Sequence, residues 1–185
     1  MVKRDRLSFK ISFSAVTVAI SVVLMFGSMI PGFNYISPAL AGILIFIIYD
    51  EIGMKWAMLS FLTCSFAVLF VVPGWESAML FVLFFGYYPT LRKHAERVKI
   101  KVFRGFLKFL CFNIAIFLIY LVLNKLLKIN DMLEGLEVFG ETAVFVLWAT
   151  SNFTFLIYDM SLDNITFWYK KTLKPRLTVC YANLK

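Results

Sequence analysis

Long apolar runs, broken by short polar or Pro/Gly punctuation, make up most of this chain. They cover residues 11–30, 35–49, 54–72, 77–90, 105–127 and 138–159. A bilayer core takes about 20 apolar residues per helix, with a range of about 17 to 25. Four of the runs meet that length, and the second and fourth fall short of it. PGFNYISP (31–38) separates the first two runs, and Pro73-Gly74 closes the third. Such residues end helices and open turns. The pattern predicts an all-α, polytopic membrane protein. We expect a six-transmembrane-helix bundle forming a single integral membrane domain over 1–185, with 160–185 as a basic tail.

Orientation follows from the positions of Lys and Arg, which collect on the cytoplasmic side. The amino terminus holds Lys3, Arg4, Arg6 and Lys10, and the second connection holds Lys55. The fourth connection holds Arg92, Lys93, Arg97, Lys99, Lys101, Arg104 and Lys108. The tail holds Lys170, Lys171, Lys174, Arg176 and Lys185. Only Lys125 and Lys128 fall on the other side, so 17 of the 19 basic residues lie inside if both termini are cytoplasmic. The expected location is the cell membrane, as a multi-pass protein. Asp50, Glu51 and Asp159 then lie at cytoplasmic helix ends, where they can stay hydrated. RKHAERVKIKVFR (92–104) is expected to form an amphipathic segment at the inner interface.

Composition agrees with the pattern. The chain is 61% hydrophobic, with 21 phenylalanines and a mean hydropathy of +0.83. A soluble domain is nearer half apolar, and a chain of 185 residues has too much surface to hide this excess. The first run extends past signal-peptide length and more runs follow it, so it is read as a span. The net charge of +8 is accounted for by topology and by attraction to anionic lipids; no nucleic-acid partner is expected. Cys64, Cys111 and Cys180 show no metal-ligand spacing, and His94 is the one histidine. No metal and no cofactor are expected. Serine-nucleophile (GxSG), paired-Glu and HExxH motifs are absent from the sequence, which leaves no basis for an enzyme.

On this topology, 31–38, 73–77 and 129–141 face outward. The last of these carries Asp131, Glu134, Glu137 and Glu141. Aromatic walls with a few polar groups that fix orientation make a small-molecule pocket. Asn34, Tyr35, Glu76, Trp148 and Asn152 are the candidate substrate-binding residues, with Phe33 and Trp75 beside them. Trp and Tyr also collect at membrane interfaces without a ligand. Asn152 lies one turn from Trp148 on the same face, although nearer the inner half. Asn113, in the fifth run, needs a partner in lipid and is expected to bond to a neighbouring helix. On the first helix Ala15 and Ala19 are four residues apart and share a face. Small residues at that spacing let another helix approach closely, either within the bundle or from a partner.

The first helix with AVTVA (15–19), the uncharged Pro-rich loop 31–38 and PALAGILIF (38–46) together resemble the substrate-binding S component of an energy-coupling factor (ECF) transporter. The resemblance covers roughly residues 5–160, and it extends equally to a bacterial membrane family that shares only the fold. It implies a subunit that does no chemistry. Such a subunit captures a vitamin-like micronutrient outside, for ATP-driven import by a transmembrane T component and two ATPases. It also implies that Ala15 and Ala19 dock the T component, that loop 31–38 covers the solute, and that 92–104 forms a cytoplasmic interfacial helix. No riboflavin, thiamine, biotin or folate signature is present, and the basic tail is longer than the family requires. The alternative is a non-transporting membrane scaffold or assembly protein with the same bundle.

Overall fold

The computed structural model describes residues 7–96, 100–122 and 142–174, and the described elements are all α-helical. The expected acidic loop 129–141, the end of the basic tail with Cys180, and the ends of the fifth and sixth runs lie outside the described residues. The chain forms two compact units. Arg4–Leu126 is one, and Leu127–Lys185 with Met1–Lys3 is the other.

In the larger unit, α1 spans Leu7–Phe26 and closes with a 3-10 turn, Gly27–Met29. Helix α2 spans Ile36–Ile52 and α3 spans Met54–Val71. They meet at Gly53, whose φ of 99° suits a residue without Cβ. Helix α4 (Trp75–Leu80) continues into a π-helical turn, Phe81–Phe85, and then α5 (Tyr88–Ala95). Helix α6 spans Lys101–Leu121. The segments Leu7–Met29, Met54–Val71 and Val102–Leu121 are long and apolar enough to cross a membrane.

The α1–α2–α3 packing buries small and hydroxyl-bearing residues together with larger apolar ones such as Ile45, Ile48 and Phe61. Helix α1 turns Ser14, Thr17, Ser21 and Met25 inward and leaves Val16, Ile20 and Val23 exposed. Helix α2 buries Ala41 and Gly42, and α3 buries Ala57, Ser60 and Cys64. Small residues bring backbones close where lipid supplies no hydrophobic drive between helices. Two of the α1 hydroxyls are satisfied within the helix. Thr17 Oγ1 donates to the Phe13 carbonyl at 2.8 Å, and Ser21 Oγ donates to the Thr17 carbonyl at 2.9 Å. Other large apolar side chains face out: Phe70 on α3 is 85% exposed and Val102 on α6 is 83% exposed.

The fourth run is not the single helix 77–90 that its apolar pattern predicts. Pro89 has no N–H to donate to the carbonyl four residues back, that of Phe85, and its ring crowds that carbonyl. The backbone responds with a wider turn, in which Gly86 N–H donates to the Phe81 carbonyl at 2.8 Å. A Cβ built on Gly42 would collide with the Phe85 carbonyl, and one on Gly86 would lie 2.5 Å from the Phe61 ring. These two glycines therefore seat the kink against α2 and α3. Helices α2 and α4–α5 run parallel and touch at three levels. Tyr35 meets Glu76, Gly42 meets Phe85, and Asp50 meets Lys93. The sequence offset is 41 at the first contact and 43 at the last. The π turn, which holds more residues per turn than an α-helix, takes up part of the difference.

Two further expectations are corrected. Residues 92–104 do not form one helix: 92–95 finish α5, Ile100 is extended, and Lys101 opens α6. In the smaller unit, α7 spans Ala143–Trp168 and continues as a π-helical turn, Tyr169–Leu173. The segment from 160 to 173 is therefore helix rather than tail. Its apolar positions hold their period past Asp159, with Phe155, Leu162 and Tyr169 buried at seven-residue spacing. Asp159 accordingly sits within a helix and not at its end.

Candidate functional site

Loop 31–38 turns through Gly32 at a φ of 89°, a backbone angle that favours a residue without Cβ. It then enters α2 with Ser37 N–H donating to the Phe33 carbonyl at 3.0 Å. This places Tyr35 just ahead of α2, and its Oη donates to Glu76 Oε1 at 2.8 Å. Glu76 lies in the first turn of α4, where the helix dipole favours a negative charge. Phe33 and Trp75 are exposed on the same two segments, and Asn34 is half-buried. Ser28, Ser37 and Ser77 are buried at this end. A Cβ on Gly27 would lie 2.9 Å from Ser37 Oγ, and one on Gly74 would lie 3.3 Å from Ser28 Oγ. The two glycines thus let the loop and the start of α4 close on the serines.

Partial desolvation, with the adjoining Glu76 carboxylate, pushes the Tyr35 phenol up from 10.0 to about 12. A raised folded-state value stabilises the fold fully below pH 10, and that contribution is lost as pH rises through about 12. Tyr35 should therefore remain protonated and donating across the physiological range. A phenolate absorbance titration of the protein and of Tyr35→Phe checks this: their difference should appear near pH 12. A difference centred at pH 10 would contradict the bond.

The other two candidates lie in the smaller unit, on one stretch of α7. Trp148 is exposed, with its ring 5.9 Å from that of Phe145. Asn152 is buried and its Nδ2 donates to the Trp148 carbonyl at 2.9 Å. Asn113, expected to bond across to a neighbour, donates from Nδ2 to the Phe109 carbonyl of its own helix at 2.9 Å. At least one of its amide hydrogens is thus used within α6. The five candidates therefore come as one pair bonded across helices, Tyr35 with Glu76, one pair within a helix, Trp148 with Asn152, and Asn34 beside the first pair.

At the opposite end of the α2/α4–α5 pair is a feature that the linear pattern did not reveal. Asp50, expected to be hydrated, has a side chain only 8% exposed and is ion-paired with Lys93. The Lys93 ammonium lies 5.1 Å from the ring centroids of both Phe46 and Tyr49, within cation–π reach. The sequence signal was present in α2, where Phe46, Tyr49 and Asp50 share one face at helical spacing. Lys93 looked like one more topology-setting charge.

This is an all-α chain with three candidate membrane-spanning helices, as expected of a multi-pass membrane protein. Compared with protein-family models, curated proteins and solved structures, it matches none significantly.

Proposed function

We propose that this chain is the substrate-binding membrane subunit of an ECF transporter. In this reading it has six spans and cytoplasmic termini in the cell membrane, and it captures a small vitamin-like solute at its outer face. A T component with two ATPases drives import. One observation carries the reading: Ala15 and Ala19 are both exposed on α1, while Ser14, Thr17 and Ser21 are buried. Packing within the unit does not use the small face, which stays open for another transmembrane helix. The Tyr35–Glu76 bond supports the solute side of the reading, because it ties the uncharged loop to a helix start at the end poor in Lys and Arg.

The test is a mild-detergent pull-down of the tagged protein from its native membranes. It should capture a transmembrane protein together with two ATPases. Ala15→Trp with Ala19→Trp should abolish that capture and leave solute affinity unchanged. Undiminished capture by the double variant would remove the docking role. Capture of cell-envelope proteins without ATPases would favour the scaffold.

A further inference from the structure

We infer that the solute recognised beside loop 31–38 is a small organic cation. This rests on the outer-face solute reading above and narrows it to one chemical class. Glu76 is the only charged side chain in 27–38 and 72–77; neither segment contains Lys, Arg or His. Among the described residues its partner is the neutral phenol of Tyr35, bonded at Oε1. Among the described residues of these two segments no basic side chain neutralises its charge. Three aromatic residues belong to the two segments that the Tyr35–Glu76 bond joins, and all stand open: Phe33 at 45%, Tyr35 at 57% and Trp75 at 46% exposed. Membrane-interface aromatics alone would need no carboxylate among them. A carboxylate alone would suit a metal ion only if several more oxygen ligands joined it. Aromatic faces with a single carboxylate instead suit a weakly hydrated cation, such as a quaternary ammonium or a cationic heteroaromatic ring. An anionic solute would meet repulsion from Glu76. Asn34, half-buried between Phe33 and Tyr35, supplies an amide to orient a polar substituent.

The experiment is calorimetric titration of the purified full-length protein in detergent. The probes are choline and N-methylpyridinium, each paired with a neutral analogue in which carbon replaces the charged nitrogen, and a carboxylate of similar size. At least one cation should bind about tenfold more tightly than its neutral analogue. Glu76→Gln, at a half-buried position where the amide oxygen can still accept from Tyr35, should erase that preference. Equal binding of cation and neutral analogue, an undiminished cation preference in Glu76→Gln, or no heat from either cation would each overturn the inference. The pull-down separates this result from the transport reading. Cation binding that depends on Glu76, without co-purifying ATPases, keeps the site and removes the transporter. Co-purifying ATPases with a neutral or anionic bound solute keep the transporter and remove the cation.

Discussion

Gly42→Ala should destabilise the protein by about 3 kcal/mol, at the upper end of what an added methyl costs in a filled interior. The new Cβ would fall on the Phe85 backbone carbonyl. A side chain can swing aside, but this carbonyl belongs to a turn already widened by Pro89. To accommodate the methyl, α2 must move off the kink as a whole. Gly105→Ala is the matched control. Nothing lies within 4 Å of a Cβ there, so it should be neutral or gain up to about 1 kcal/mol from helix propensity. Thermal denaturation in detergent, followed by loss of the monodisperse chromatographic peak, would distinguish the two. Equal midpoints for the two variants would mean that α2 does not depend on that close approach.

Asp50→Ala should cost about 3 kcal/mol, the range found when one partner of a buried ion pair is removed. It would leave the Lys93 ammonium, with a side chain only 28% exposed, between Phe46 and Tyr49 without its counter-ion. The aromatic faces retain part of the attraction, so the loss should stop short of complete unfolding. Lys93→Met in the same background should recover most of the stability, because an apolar side chain of similar length fits the aromatic slot without needing a charge. A double variant as unstable as the sum of the two single variants would show that the pair is not coupled.

Much of the architecture was legible in the linear pattern, because lipid leaves a chain few options. Backbone polar groups must be satisfied within each apolar segment, so long apolar runs become helices. Pro73-Gly74 and loop 31–38 separate them as expected. Tyr35 and Glu76 could be nominated because aromatic and acidic residues are conspicuous in loops otherwise free of charge. That they bond to each other is a tertiary fact which no local pattern encodes.

The failures have physical causes too. Asp159 looked like a helix end because a carboxylate is costly in lipid, yet the period of Phe155, Leu162 and Tyr169 carries the helix past it. Asp50 looked hydrated because charged residues at span ends usually are. Its burial depends on Lys93, 43 residues away. Pro89 was visible, but only three-dimensional packing shows that its effect appears as a widened turn one helical repeat earlier, seated on a glycine of another helix.

That widened turn limits which changes in length the chain tolerates. Each residue added to or removed from an α-helix turns everything beyond it by about 100°. Deleting one residue between Glu76 and Phe85 would leave Glu76 facing Tyr35 but swing Lys93 away from Asp50. Adding one would do the same in the opposite sense. Related chains should therefore keep the length of this stretch fixed, whereas loop 31–38 can gain or lose residues before Tyr35 without disturbing the match.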